Sequence, residues 1–173
     1  MALYSFEGNS PKISAKAYVH DSAQIIGNVV IGENCFVGAG AIIRGDYGEL
    51  LIGEGTAIEE GAIIHCPPLC TCKIGKSVTI GHGAVLHCSD IEDGAVIGMG
   101  AVVSIRAKIG EWAIVAEGAV VTMGQEIPTH KIAAGNPAKI IGDVTDGHKE
   151  MWSWGKDIYV DLSQRYPEGL KKL

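Results

Sequence analysis

An aliphatic side chain returns every sixth residue at Ile13, Val19, Ile25, Ile31, Val37 and Ile43. The phase then slips and resumes at Ile52, Ile58 and Ile64, and slips again to Ile74, Ile80 and Leu86. It loses one residue and runs on through Ile91, Ile97, Val103, Ile109, Val115 and Val121. A period of six suits neither an amphipathic helix, which repeats at 3.6, nor a meander of hairpins with unevenly spaced turns. It suits a chain wound into a three-sided prism, with one short strand per face and a bend between faces. About 18 residues then make one coil, and the anchors fill about six coils, roughly 29 Å tall at ~4.8 Å per coil. Each anchor points inward and stacks on the anchor one coil below. Glycine accounts for 24 of 173 residues, about twice the usual ~7 %. It often follows an anchor, as in Ile31-Gly32, Ile80-Gly81 and Ile97-Gly98, and it suits bends that a bulky side chain resists.

Charge and hydropathy narrow the partners. Twenty acidic residues against 14 basic ones give a net charge of −6, which argues against nucleic acid, whose phosphates need a basic stripe. The longest stretch free of Asp, Glu, Lys and Arg, Ser77–Ser89, spans 13 residues, where a membrane span needs roughly 18 or more. The N-terminus lacks a basic segment followed by an apolar one, so no secretory signal is expected. The five cysteines are accordingly read as reduced thiols in a cytoplasmic protein.

Past Val121 the repeat decays through Gly124-Gln125-Glu126-Ile127-Pro128, and Ala133-Ala134-Gly135-Asn136-Pro137-Ala138-Lys139-Ile140-Ile141 follows. Met151, Trp154, Ile158 and Leu162 then recur at helical spacing, with Thr145 as the N-cap. The spacing predicts one amphipathic helix over Asp146–Arg165, ended by Pro167 and Gly169 and packed on the prism by Trp152, Trp154 and Tyr159. The expected organisation is a β-helix domain over 1–141 and a helical appendage over 142–173 that protects open strand edges.

Function must come from a site on this scaffold, and three of the six histidines fall near the phase slips. His65 follows anchor Ile64, and His87 follows Leu86 one full coil later, so the two should stack about 4.8 Å apart, close enough to grip one metal ion. The four extra residues of that coil, around Pro67-Pro68-Leu69-Cys70, should bulge out beside them. His82 follows Ile80 by two and falls on the preceding face, around a corner. A neighbouring subunit presenting its His82 to His65 and His87 would supply three imidazoles and leave a fourth position open, as catalytic zinc requires.

Ile63-Ile64-His65, Ile80-Gly81-His82-Gly83-Ala84-Val85-Leu86-His87 and Ile42-Ile43-Arg44-Gly45-Asp46, together with the segment 133–141, resemble the gamma-class carbonic anhydrase-like branch of the hexapeptide-repeat proteins. The resemblance covers about residues 11–141. It implies a left-handed parallel β-helix, a homotrimer, and a metal between subunits held by His65 and His87 of one chain and His82 of the next. Zinc is the implied ion, with iron or cobalt as alternatives. Arg44 and Asp46 correspond to interface residues beside the metal. Arg44 has Asp46 or Glu60 as an available carboxylate for a bidentate pairing.

One segment departs from the pattern. Where the family commonly has Asn-(Ile/Val)-Gln-Asp, this chain has Ala57-Ile58-Glu59-Glu60. Glu59 replaces an amide that can donate with a group that, once ionised, only accepts. It is either a proton acceptor for metal-activated water or a charge that repels bicarbonate. Glu59, Arg44 and Asp46 are therefore the candidate catalytic residues. Cys66 and Cys88 each follow a candidate ligand, so alternation turns them away from the site as small stacking residues. With Cys70 and Cys72 they alternatively form a second soft-metal site or a redox pair. His20, His130 and His148 are read as surface residues.

The reading that follows is reversible hydration of carbon dioxide to bicarbonate by metal-activated hydroxide at a trimer interface. Two alternatives stand beside it: a hexapeptide-repeat acyltransferase or acyl-CoA thioesterase, and a non-catalytic metal-binding trimer.

Overall fold

The computed structural model describes residues 2–87 and 89–173; Cys88, with its predicted stacking role, lies outside them. The six-residue period becomes a parallel β-solenoid of about seven turns with one C-terminal helix. Winding continues past the last predicted anchor, because Ile127 and Ala133 keep the inward register through Glu126–Ile127 and Lys131–Ala134. The chain closes with Lys139–Asp143, which pairs antiparallel to Lys131–Ala134.

Three stacks of short strands make the faces. The first is built by the opening halves of Gln24–Ile31 and Ile42–Ile52, then Ile63–His65, Val85–His87, Val102–Val103 and Val120–Val121. The second takes the closing halves of the two long strands, then Thr71–Ile74, Asp90–Ile91, Lys108–Ile109 and Glu126–Ile127. The third rises from Tyr18–Val19 and Phe36–Val37 through Ala57–Ile58, Thr79–Ile80, Val96–Ile97 and Ile114–Val115. Inside, Ile25, Ile43, Ile64 and Leu86 of the first face meet Ile52 and Ile74 of the second and Ile58 and Ile80 of the third, all buried. Alanines at the bends, such as Ala41, Ala62, Ala84 and Ala101, are also fully buried. They let the backbone turn tightly around the aliphatic column.

All three slips of the repeat fall at one corner, between the first and second faces. Gly45 pairs with Gly27, but Leu50 pairs with Val29, so extra residues at 46–49 are extruded at that corner. The loop 66–70 leaves the same corner one coil later, and the single deletion follows His87. Irregularity in the sequence is thus stacked in space, beside the ends of the strands that carry His65 and His87.

The faces differ outside. The second presents Lys73, Asp90, Lys108 and Glu126 to solvent. The third is covered by α1 (Asp146–Gly169), whose Tyr166 meets Tyr18 and Phe36, and whose Tyr159 meets Phe36. The first keeps an uncovered column of Ile42, Ile63, Val85, Val102 and Val120.

Thr145 caps α1 as predicted, in a capping box with His148: its hydroxyl accepts from the His148 N–H, and the His148 ring accepts from the Thr145 N–H. The helix runs four residues beyond Arg165, through Pro167 to Gly169. Of the three residues expected to pack it on the prism, Trp152 and Tyr159 do so and Trp154 does not. Lys156 and Ser163 are buried and Trp152 and Tyr159 partly so, whereas Met151, Trp154 and Ile158 are exposed. Residues 152, 156, 159, 163 and 166 are as helical in spacing as the apolar set. The third face already carries Trp112 where the helix crosses it. The Lys156 ammonium settles 5.2 Å from the Trp112 ring and 5.6 Å from that of Trp152, a place for a long stem and a cation rather than for a third indole. Among the described residues, no helix is long and apolar enough to cross a membrane.

Candidate metal centre

Parallel pairing sets Arg44 beside His65 and His65 beside His87 at the ends of successive strands of the first face. The two imidazoles lie parallel, 11° apart, with ring centres separated by 5.1 Å. One inter-strand spacing is thereby copied into the side chains, and both rings project from the apolar face.

Asp46 enters from the extruded residues at the corner. Its Oδ2 accepts from the Arg44 guanidinium at 2.7 Å, and its Oδ1 lies 3.3 Å from the His65 Nε2. Glu60, the other candidate partner of Arg44, is engaged elsewhere. Partial burial alone would raise the Asp46 carboxyl. The charge and hydrogen bond of Arg44, a backbone N–H and His65 outweigh it and hold the group below the usual carboxylate range. His65 is pushed down, first by burial and then by the Arg44 charge, against the pull of Asp46. A neutral imidazole is the form that binds a metal.

His82 stands at the other edge of the first face, in the turn from the third. Gly83 follows it with φ +66°, a backbone that a residue with a Cβ resists. The same turn one coil earlier holds Glu60-Gly61, and one coil later Met99-Gly100. Both ring nitrogens of His82 meet carboxylates: Nδ1 lies 2.7 Å from Glu60 Oε2, and Nε2 lies 3.1 Å from Glu59 Oε2. The same Glu59 oxygen accepts from the His82 backbone N–H at 3.1 Å.

Glu59 itself is buried. Burial raises its pKa, while the His82 charge, a hydrogen bond from the Tyr159 hydroxyl and the His82 N–H work to lower it; the net direction is up. Tyr159 is raised in turn by burial and by Glu59. Next to it, the Lys156 amine is 3.4 Å from the Thr79 hydroxyl and is pushed down to about 8 by burial, with Glu59 opposing. The sequence assigns Tyr159 only a packing role and does not single out Lys156, although both lie on the second helical stripe, in phase with Trp152 and Ser163.

Within one chain, His65 and His87 come together and His82 does not join them. Among the described residues, no group of three or more His, Cys, Asp or Glu is placed to hold a metal. The side chains fit an ion shared between chains: two parallel imidazoles on an open apolar face, and a third at the opposite edge. Glu60 on the His82 Nδ1 is the carboxylate support that metal-bound histidines commonly have. For His82 to ligate through Nε2, its contact with Glu59 must open.

Cys66 is buried behind His65 and its thiol faces the Cys70 carbonyl, at 3.3 Å; Cys72 is buried with its thiol on the Ser89 carbonyl, at 3.2 Å. Burial pushes the Cys72 thiol up to about 12, far from the reactive thiolate range. Cys66 and Cys72 thus serve as core residues under the loop.

Residues 10–45 match the family described as bacterial transferase hexapeptide (six repeats). Over 170 residues, covering 98 % of this chain and 86 % of the relative, the sequence is 35 % identical to the carnitine operon protein CaiE of Proteus sp.. Over 165 residues, covering 95 % and 90 %, it is 36 % identical to a carbonic anhydrase of Geobacillus kaustophilus. The fold superposes on the crystal structure of a putative acetyltransferase of Bacillus cereus with a TM-score of 0.93. That match has 31 % identity and covers 95 % of this chain and 96 % of the other.

Proposed function

Because this chain belongs to the hexapeptide-repeat family, beside CaiE and carbonic anhydrase relatives, we propose that it forms a homotrimer that hydrates carbon dioxide reversibly at a metal shared between protomers. The observation that carries this reading is the parallel pair His65 and His87 on the one face left apolar and uncovered. A second copy seated on that face covers Ile63 and Val85 and brings its own His82 edge to the pair. Contiguous exposed apolar surface of this kind marks an association site.

His65 and His87 of one protomer and His82 of the next hold the ion, with zinc, iron and cobalt as candidates. When bound, the metal supplies Lewis acidity, enough to make a nucleophile of water near neutral pH. The chain supplies the rest. Arg44, fixed by Asp46, sets a cation beside His65, where a bicarbonate anion gains from it. Asp46 orients the His65 ring. Glu59, freed from the His82 Nε2, accepts a proton at Oε2, with Tyr159 holding the carboxylate by its hydroxyl. Burial around Glu59 keeps bulk water away from that oxygen.

Acyl transfer is the second reading, favoured by the likeness to the putative acetyltransferase. The two are separated by metal analysis of protein purified anaerobically, followed by stopped-flow hydration of carbon dioxide. The proposal expects one metal per protomer, hydration lost in His65→Ala, and a rate reduced on the order of 10²-fold in Glu59→Gln. Metal-free protein that stays inactive after loading overturns it. Activity that arises only in Glu59→Gln would make the native protein a metal-binding trimer without the reaction.

A further inference from the structure

Two of the exposed apolar features outside the site lie on opposite edges of the prism. The first is the stripe that α1 turns outward: Met151, Trp154 and Ile158, exposed by 54, 70 and 37 %. Its direction is fixed by its neighbours. Val160 leans on Gly55, at the edge between the second and third faces. Tyr159, one residue earlier, reaches Glu59 at the edge between the third and first. Ile158 lies a further ~100° round in that direction, and Met151 and Trp154 share its side. The stripe therefore flanks the edge that carries Glu59, Glu60 and His82.

The second feature is Leu69, fully exposed at the tip of loop 66–70. It leaves the corner beside His65, on the other edge of the first face. The heights agree. Lys156 meets Thr79, and Tyr159 meets Phe36 and Glu59, so residues 154–158 lie level with the coils that carry His65 and His87. An arrangement that brings the His82 edge of one chain to His65 and His87 of another also brings the helix stripe of the first to the loop of the second.

We propose that the Met151–Trp154–Ile158 stripe of α1 receives Leu69 of a second copy of this chain, so that the helix clamps the protomer whose histidines complete the site. The inference rests on the shared-centre reading and adds to it the contact that sets how far the two edges close. A large aromatic beside an aliphatic tip, rimmed by Glu150, Asp157 and Asp161, has the make-up of an interface anchor. Within one chain the two features cannot meet, because the prism stands between them.

The test is the double variant Leu69→Cys/Trp154→Cys, oxidised mildly with copper phenanthroline and run on a denaturing gel, with each single variant setting the background. Covalent dimer and trimer in the double variant alone are the expected result. Independently, Leu69→Asp and Trp154→Glu should each raise the concentration at which the trimer dissociates by at least about tenfold. Thermal unfolding followed by circular dichroism reports that both variants fold, since both positions are exposed. If the wild type is trimeric by light scattering, yet the double-cysteine variant gives no link and Leu69→Asp and Trp154→Glu give no shift in dissociation, the clamp is overturned and the shared centre stands. A wild type that is monomeric overturns both.

Discussion

Asp46 Oδ2 sits 2.7 Å from the Nη1 of Arg44. The pairing ties the residues extruded at the corner to the strand that precedes His65, and it leaves Oδ1 facing the His65 ring. At the proposed metal centre this carboxylate would act only through Arg44 and His65, so its removal should loosen metal binding without abolishing the fold. Asp46→Asn keeps the shape and removes the charge. We expect metal affinity to fall about 10- to 100-fold, measured by competition with a chromogenic chelator. The melting temperature should shift by no more than a few degrees. Unchanged affinity would mean that His65 needs no such support.

Thr145→Ala removes the side-chain half of the capping box, the hydroxyl that accepts from the His148 N–H, and leaves the backbone N–H that donates to the His148 ring. The cost should be about 1 kcal/mol, or a melting temperature lower by ~2–4 °C for a chain of this size. Amide exchange should quicken in the first turn of α1 and not in the solenoid. A uniform change across all amides would show that the helix and the prism unfold as one unit.

The scaffold was legible because a six-residue period leaves one way to bury an aliphatic residue per strand, and Ile58, Ile80 and Ile97 obey it in position and burial. The stacking of His65 on His87 was legible for the same reason, since counting anchors counts coils. What the sequence concealed lies where two periodic solutions compete. On α1 the apolar set of Met151, Trp154 and Ile158 reads as the buried side. The side that packs holds a lysine and a serine, because Trp112 from the prism had already filled the space. Periodicity reports that a helix has a face, and the surface it meets decides which. The partners of Glu59 were hidden likewise: Tyr159 is 100 residues away in sequence, and only the antiparallel run of α1 down the third face brings it close.

Gly48 marks where the loop beside His65 is pinned. A Cβ there would come within 2.6 Å of the carbonyl oxygens of Pro67 and Cys70. These are backbone atoms that cannot swing aside. Gly48→Ala should therefore lift loop 66–70 off the corner. The expected cost is about 1–3 kcal/mol, read by chemical denaturation. Gly142→Ala, with nothing within 4 Å and no positive φ, is the control and should stay within about 0.5 kcal/mol. Equal behaviour of the two would show that the loop yields freely.

Lys156 gives a dependence on pH whose sign can be worked out. Burial pushes its amine down to about 8 from 10.5, with Glu59 opposing the shift, and the Trp112 and Trp152 rings offset part of the cost of the buried cation. Below about pH 8 the group is charged in both the folded and the unfolded chain, and the folded state bears the full cost. Between about 8 and 10.5 the folded chain sheds the proton first, the unfolded chain holds more protons, and stability rises with pH. Cys35 and Cys72 act in the opposite sense. Burial raises them to about 11 and about 12, so the stability they contribute is lost as pH climbs through those values. Both thiols are present in wild type and in Lys156→Met, and their effect cancels in the difference. The variant's stability relative to wild type should thus be most favourable near pH 7. It should decline by an amount on the order of 3 kcal/mol as pH rises to 10.5, followed by urea unfolding at each pH. A difference that stays flat over that window would show that the amine between the two indoles titrates as an exposed lysine does.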